Sequence, residues 1–195
     1  MLLKLYQTGQ PILRKPAKLV SSAALKTPRV QEVIDYMIAT LRDAPGVGLA
    51  APQVGEALQI IIIEDKAGYH EQIPAAVLKA QGRKSVALRI IVNPVMEILD
   101  TELLCFFEGC LSVEGYVAVV PRAQSVRVRG WDRHGRAVTF TASGWAARII
   151  QHEVDHLRGK LYIDSMVPAS FMTLKNFNAG WRKALPERIK KAFNP

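Results

Sequence analysis

Val30, Val33, Ile34, Met37, Ile38 and Leu41 recur at the spacing of three and four that marks one face of a helix. Thr27–Pro28 precedes them and combines a capping hydroxyl with proline at the first helical position, so the helix is expected to begin there. Pro45–Gly46 ends the pattern. A loop follows, Gly46–Val47–Gly48–Leu49–Ala50–Ala51–Pro52–Gln53–Val54–Gly55, and then the unbroken apolar run Ile60–Ile63, which reads as a buried strand. Glu64–Arg89 is polar and irregular, with Gly68, Pro74 and Gly82, and is expected to be a long surface insertion. Ile90–Val92 resumes strand character, with Asn93–Pro94 as its expected stop. Val95–Phe107 is rich in strand formers.

Val126 and Val128 alternate with Arg127 and Arg129, the period of a half-buried strand. Asp132–Gly135 is a turn signal, and Val138 and Phe140 carry the alternation into a return strand. A second helix is expected from about Ser143–Gly144 through Trp145–Leu157, with Gly159 as its C-terminal stop. Strands flank segregated helices without a regular βαβ alternation, so the fold class is α+β.

Composition narrows the picture. A chain of 195 residues, 49% hydrophobic and 22% charged, fits one domain spanning 1–195 with a core that needs no disulfide or structural metal. A metal site here would therefore serve chemistry. Cys105 and Cys110 are the two cysteines, and Met1–Tyr6 is too short an apolar run for a secretory leader. A reducing compartment is expected: the bacterial cytoplasm first, a mature organellar form second. No run approaches the roughly 20 apolar residues that span a bilayer, so no membrane partner is expected. The net charge is +9, and the segment from about residue 172 onward carries six basic residues against Glu187 alone. Such a tail is either a solvated helix or a patch drawn to an acidic surface.

The strongest chemical signal is His152–Glu153–Val154–Asp155–His156. Residues four apart on a helix stand one above the other, so two imidazoles can converge on one ion. Glu153, one position round, is better placed for the ion's water than for the ion. Trp145, Ile149, Ile150 and Leu157 make this helix apolar enough to lie in the interior. A catalytic metal needs a third protein ligand. Downstream of His156 there is no further histidine, and Asp164 is not at the metzincin spacing. Upstream, Glu108–Gly109–Cys110–Leu111–Ser112 offers a thiolate, a soft and strong ligand, beside a glycine that permits a tight turn. Cys105, among Leu103, Leu104, Phe106 and Phe107, reads as an inert core cysteine.

Three segments together resemble peptide deformylases: Gly46–Gln53, Glu108–Ser112 and Gln151–His156, in the family's order. The run Ala142–Ile150 is most similar to the subgroup that includes organellar members. The resemblance implies removal of the formyl group from N-terminal formyl-methionine of new polypeptides. It also implies antiparallel sheets packed around a central metal-binding helix. The ion would be Fe²⁺ first, with Zn²⁺, Ni²⁺ or Co²⁺ accepted, held by Cys110, His152 and His156. Glu153 would move protons, and Gln53 with the backbone N–H of Leu111 would receive the developing oxyanion. Gly46 and Gly48 would expose backbone to an extended substrate, and Val47, Trp145 and Ile149 are candidates for the methionine pocket. Asp155 would support the site, with Arg122 as an ionic partner. The arginine that many bacterial members carry seven residues after the ligand cysteine is Val117 here, so the resemblance does not extend to substrate contacts beyond the methionine.

Two rival readings remain. A zincin-like peptidase shares His152, Glu153 and His156 but does not need Cys110. A basic ribosome- or RNA-binding module would use the tail, though no RNA-binding motif accompanies it. The tail also offers the enzyme a route to the ribosome, with Ile189 and Phe193 four apart on one side of a helix that Pro186 starts.

Overall fold

The computed structural model describes residues 1–193. The last two residues of the expected basic tail, 194–195, lie outside the described residues. A one-turn helix α1 (Ser22–Leu25) leads into α2 (Pro28–Asp43). Thr27 caps α2, its hydroxyl accepting from Val30 N, and the predicted apolar stripe is the buried one. Strands β1 (Gly48–Ala50) and β2 (Ile60–Asp65) follow, then α3 (Ala75–Ala80), then β3 (Val86–Ile98), β4 (Leu103–Cys110), β5 (Val113–Ala123), β6 (Ser125–Trp131) and β7 (Ala137–Ser143). Helix α4 (Trp145–Leu157) carries the histidines, and β8 (Met172–Thr173), α5 (Leu174–Gly180) and α6 (Pro186–Phe193) close the chain.

The strands form two sheets, one in the order β1-β2-β3-β6-β7 and one in the order β4-β5-β8, with every neighbouring pair antiparallel. The four-isoleucine run of β2 is buried on both faces. Ile60 and Ile62 pack with Val33, Ile34, Met37 and Leu41 of α2, while Ile61 and Ile63 pack with Ile149, Ile150 and Val154 of α4. A strand buried on both sides has no polar face to alternate with, which is why its sequence reads as a block. Each such isoleucine contributes about 1.5–3 kcal/mol by burial.

Helix α4 therefore lies between the sheets, apolar contacts on one side and polar ones on the other. Gln151 takes the place of a strand edge against β5: its Oε1 accepts from Ala123 N at 3.1 Å and its Nε2 donates to Ala123 O at 2.9 Å. Arg148 donates to Val120 O at 2.8 Å. Gly159, with φ 74°, ends the segment in the left-handed region as expected.

Two expectations need correction. Asn93–Pro94 does not stop β3, which continues to Ile98 through a bulge between Val92 and Val95. Asn93 sits at φ 51°, and its side-chain amide accepts from Val20 N and donates to Val20 O, tying the bulge to the N-terminal segment. The segment Glu64–Arg89 is not all surface insertion. Glu64 and Asp65 complete β2 and are buried, and β3 already begins at Val86. Their charges are met internally: Arg42 pairs with both oxygens of Glu64 and Arg83 with both oxygens of Asp65. The strand-rich stretch Val95–Phe107 does form strand, as the end of β3 and the start of β4, in different sheets. Asp100 marks the break between them, accepting from Gln124 N and Ser125 Oγ.

Candidate metal centre

His152 and His156 stand one turn apart on α4 with ring centroids 5.0 Å apart. Cys110 reaches them from the end of β4. There the pairing with β5 shifts register, Gly109 facing Val117 but Cys110 facing Val113, and the cysteine side chain meets the helix. Cys110 Sγ lies 3.3 Å from His156 Nε2, and the three ligand atoms all fall within 4.8 Å of one another. Bonds of about 2.0–2.3 Å to a tetrahedral ion put ligand atoms roughly 3.3–3.8 Å apart, so the three side chains fit a common ion with small adjustments. Cys105, the other cysteine, is half-buried in β4, and burial pushes its thiol up, which keeps it protonated and inert.

Glu108 organises the site from behind. Its Oε2 lies 2.9 Å from His152 Nδ1. Accepting from that nitrogen fixes the tautomer and leaves Nε2 free to ligate. The same carboxylate receives Arg122 Nε and Nη2 at 3.0 Å each and Arg148 Nη1 at 2.7 Å. Burial alone would favour its neutral form, yet Arg122, His152 and Arg148 hold it well below the usual carboxylate range. Arg122 also donates to Asp155 Oδ2 at 2.5 Å. The expected Arg122–Asp155 pair is therefore present, but as part of a buried network and not as an exposed pair.

Burial and neighbouring charges set the two histidines apart. Burial works against a charged His152, but its contacts with Cys110 and Glu108 raise it well above the ordinary histidine value. His156 is driven well below it, first by burial and then by His152. Glu153 is pushed up to about 7 by burial, and its Oε2 and His156 Nδ1 have no hydrogen-bond partner among the described residues.

The loop between β1 and β2 borders the ligands. Gln53 is buried, and Ala50 N donates to its Oε1 at 2.8 Å, which fixes Nε2 toward Ser112 Oγ at 3.2 Å and Cys110 Sγ at 3.5 Å. The N-terminal segment ties this loop to the cysteine loop, Tyr6 N donating to Gln53 O and Thr8 N to Ser112 O. A β-carbon on Gly46 would touch Leu111 Cδ1 at 3.0 Å, so Gly46 and Leu111 flank the same opening. Val47, Trp145 and Ile149 belong to one apolar cluster. Trp145, Ile149, His152 and His156 follow at intervals of four, three and four, a single face of α4. Val117 is buried and pairs with Met172 of β8, beneath Ala184 and Ile189.

Glu108, Arg148 and Ser112 are the site residues to which sequence reasoning gave no role. A signal existed for Glu108: a ligating histidine needs an acceptor for its second ring nitrogen, and a glutamate stands two residues before the ligand cysteine.

Comparison with known proteins agrees with this geometry. The family described as polypeptide deformylase matches residues 2–171. The chain is 45% identical over 172 residues to peptide deformylase 1A, chloroplastic, of Solanum lycopersicum, covering 88% of this chain and 62% of that one. It is 40% identical over 177 residues to the mitochondrial peptide deformylase of Homo sapiens, covering 91% and 71%. The Met-Ala-Ser bound class I type b peptide deformylase from Acinetobacter baumannii has a similar structure, with a TM-score of 0.73 at 33% identity, covering 85% of this chain and 99% of that chain.

Proposed function

The chain belongs to the polypeptide deformylase family, and we propose that it hydrolyses the formyl group from N-terminal formyl-methionine of newly made polypeptides. One observation carries this reading: β4 and α4 bring Cys110, His152 and His156 together with Glu153 beside them. A zincin-like peptidase has no use for the cysteine, so the thiolate favours the deformylase over that rival. A divalent ion held by these residues acidifies a bound water and polarises the formyl carbonyl. The soft and borderline donor set suits Fe²⁺ or Zn²⁺, with Ni²⁺ and Co²⁺ as further candidates.

The protein's own groups do the rest. Glu153 takes a proton from the attacking water and later delivers it to the departing amine as the C–N bond breaks, giving formate and a free N-terminus. Gln53 Nε2–H and Leu111 N–H donate to the formyl oxygen as negative charge grows there. Strand β1 stands at the edge of its sheet, so Gly46–Gly48 leaves main-chain groups for an extended peptide to pair with. The bound Met-Ala-Ser of the Acinetobacter protein supports a peptide of this kind. Val47, Trp145 and Ile149 form the wall that receives the methionine side chain. The decisive comparison is turnover of formyl-Met-Ala-Ser against cleavage of unformylated Met-Ala-Ser, with Glu153→Gln as the inactive control. Faster cleavage of the unformylated peptide would return the argument to the peptidase.

The exposed basic residues of α6 support a second element of the reading, association with ribosomal RNA phosphate. Ile189 and Phe193 dock α6 against Phe107 and Trp181, while Arg188, Lys190 and Lys191 stay exposed. Packing and a basic outer face coexist on the same helix. No helix among the described residues is long and apolar enough to cross a membrane.

A further inference from the structure

Trp145 opens α4 on the face that carries Ile149, His152 and His156, yet no hydrogen bond orients its ring. Its Nε1 is shut from water and has no acceptor among the described residues. The indole is held by apolar packing and ring contacts, with no hydrogen bond. Phe106 meets it edge-on at 6.1 Å between centroids, Arg148 lies 5.7 Å from its centroid, and Arg83 lies 5.1 Å from it. Arg148 is committed to Glu108, Val120 O and Leu104 O. Arg83 is different, because it comes from the segment between β2 and β3, far in sequence from every metal ligand.

That segment is fastened to the start of the metal helix at two points. Asp65 is fully buried, and it grips Arg83 with both oxygens, at 2.8 and 3.0 Å, leaving the arginine side chain only 10% exposed. The neighbouring turn presses on Gly144, the residue just before α4. A β-carbon there would stand 2.6 Å from Gly82 O and 2.8 Å from Gln81 O, and Gly144 has φ 60°. A forked, doubly anchored guanidinium is stiff, and a planar cation over an indole face is an attractive pairing. Together they form a fixed plate against one side of a ring that no hydrogen bond orients.

We propose that Arg83, anchored by Asp65, is a positioning residue that fixes the Trp145 indole and thereby sets which N-terminal side chains the enzyme accepts. The inference rests on the reading of Trp145 as a wall of the methionine pocket. It assigns the segment between β2 and β3 a part in selectivity and none in the chemical step. Because Arg83 reaches neither the ligands nor Glu153, its loss should act through KM for the first side chain and leave kcat for formyl-Met substrates nearly unchanged.

The test compares kcat/KM for formyl-Met and formyl-Phe peptides of otherwise identical sequence, using metal-loaded enzyme. Asp65→Asn/Arg83→Met removes the pair together while leaving an amide oxygen to face His70 Nε2, which lies 3.0 Å from Asp65 Oδ1, and Arg83→Lys keeps the charge without the fork. Trp145→Phe is the reference for the pocket itself. The expected result is a fall in the Met-over-Phe ratio of about tenfold in the double variant, the scale on which pocket shape discriminates. Arg83→Lys should show a smaller fall, with metal content unchanged throughout. A ratio within twofold of the parent in the folded double variant, while Trp145→Phe shifts it, overturns the role of Arg83. A ratio unchanged even in Trp145→Phe overturns the pocket assignment, and the inference with it.

Discussion

Gly48 and Glu153 occupy one another's only available space: a β-carbon on Gly48 would lie 2.3 Å from Glu153 Oε1 and 2.8 Å from its Cδ. The glycine is there because the carboxylate needs the room, while its chain neighbours Val47 and Leu49 carry full side chains. Gly48→Ala should therefore displace the Glu153 carboxyl without touching a metal ligand. A misplacement of about 1 Å at such a group costs on the order of 10²-fold in rate. The variant should keep its metal and lose kcat by that factor; an unchanged kcat would show that Glu153 does not act from this position.

Glu108 offers the clearest separation of support from chemistry. Glu108→Gln leaves one acceptor for Arg122, Arg148 and His152, which now share a full carboxylate. Removing the charged partner from a buried network of this kind costs about 3–5 kcal/mol. Loss of the acceptor behind a ligating histidine lowers metal affinity by about 10–100-fold. Urea unfolding of the apo protein and metal competition with a chelator should report both losses. Parental stability together with parental affinity would contradict the network drawn here.

Gln53 should matter to rate more than to binding. Gln53→Ala should retain the metal and lose on the order of 10²-fold in kcat, as removal of one oxyanion donor does. If only KM rises, the amide binds substrate and transition state equally and has no special role in the chemical step.

The α6 surface can be tested without disturbing its packing. Ile189 is buried and Phe193 stacks on Phe107, so deleting α6 would uncover the strand that carries Glu108 and Cys110. Lys190→Glu/Lys191→Glu changes only exposed charge. It should leave turnover of a short formyl-Met peptide within about twofold and reduce co-sedimentation with ribosomes, most visibly at low salt. Equal sedimentation by both proteins across a salt series would confine α6 to a structural part.

What could be read from the sequence was local or periodic. The stripe of α2, the isoleucine block of β2, the hairpin of β6 and β7 and the i,i+4 pair His152 and His156 each announce themselves within a dozen residues. What could not be read depends on partners far away in the chain. Asn93–Pro94 looked like a strand stop because nothing local shows that Asn93 binds Val20, 73 residues earlier. Asp65 and Arg83 looked like surface charge, since only the fold brings them together inside the protein. Arg148 sits in an apolar helix 40 residues from Glu108, and a lone arginine there has no local mark of a buried partner. The chemistry of Cys110 was legible from its motif, but its approach to His156 depends on the shift at the end of β4.

The ligand set itself is tested most directly by X-ray absorption on the anaerobically metal-loaded protein. The account predicts a coordination shell with one sulfur near 2.3 Å, from Cys110, and two imidazole nitrogens near 2.0–2.1 Å, from His152 and His156. A shell of nitrogen and oxygen only, with no sulfur scatterer, would contradict it.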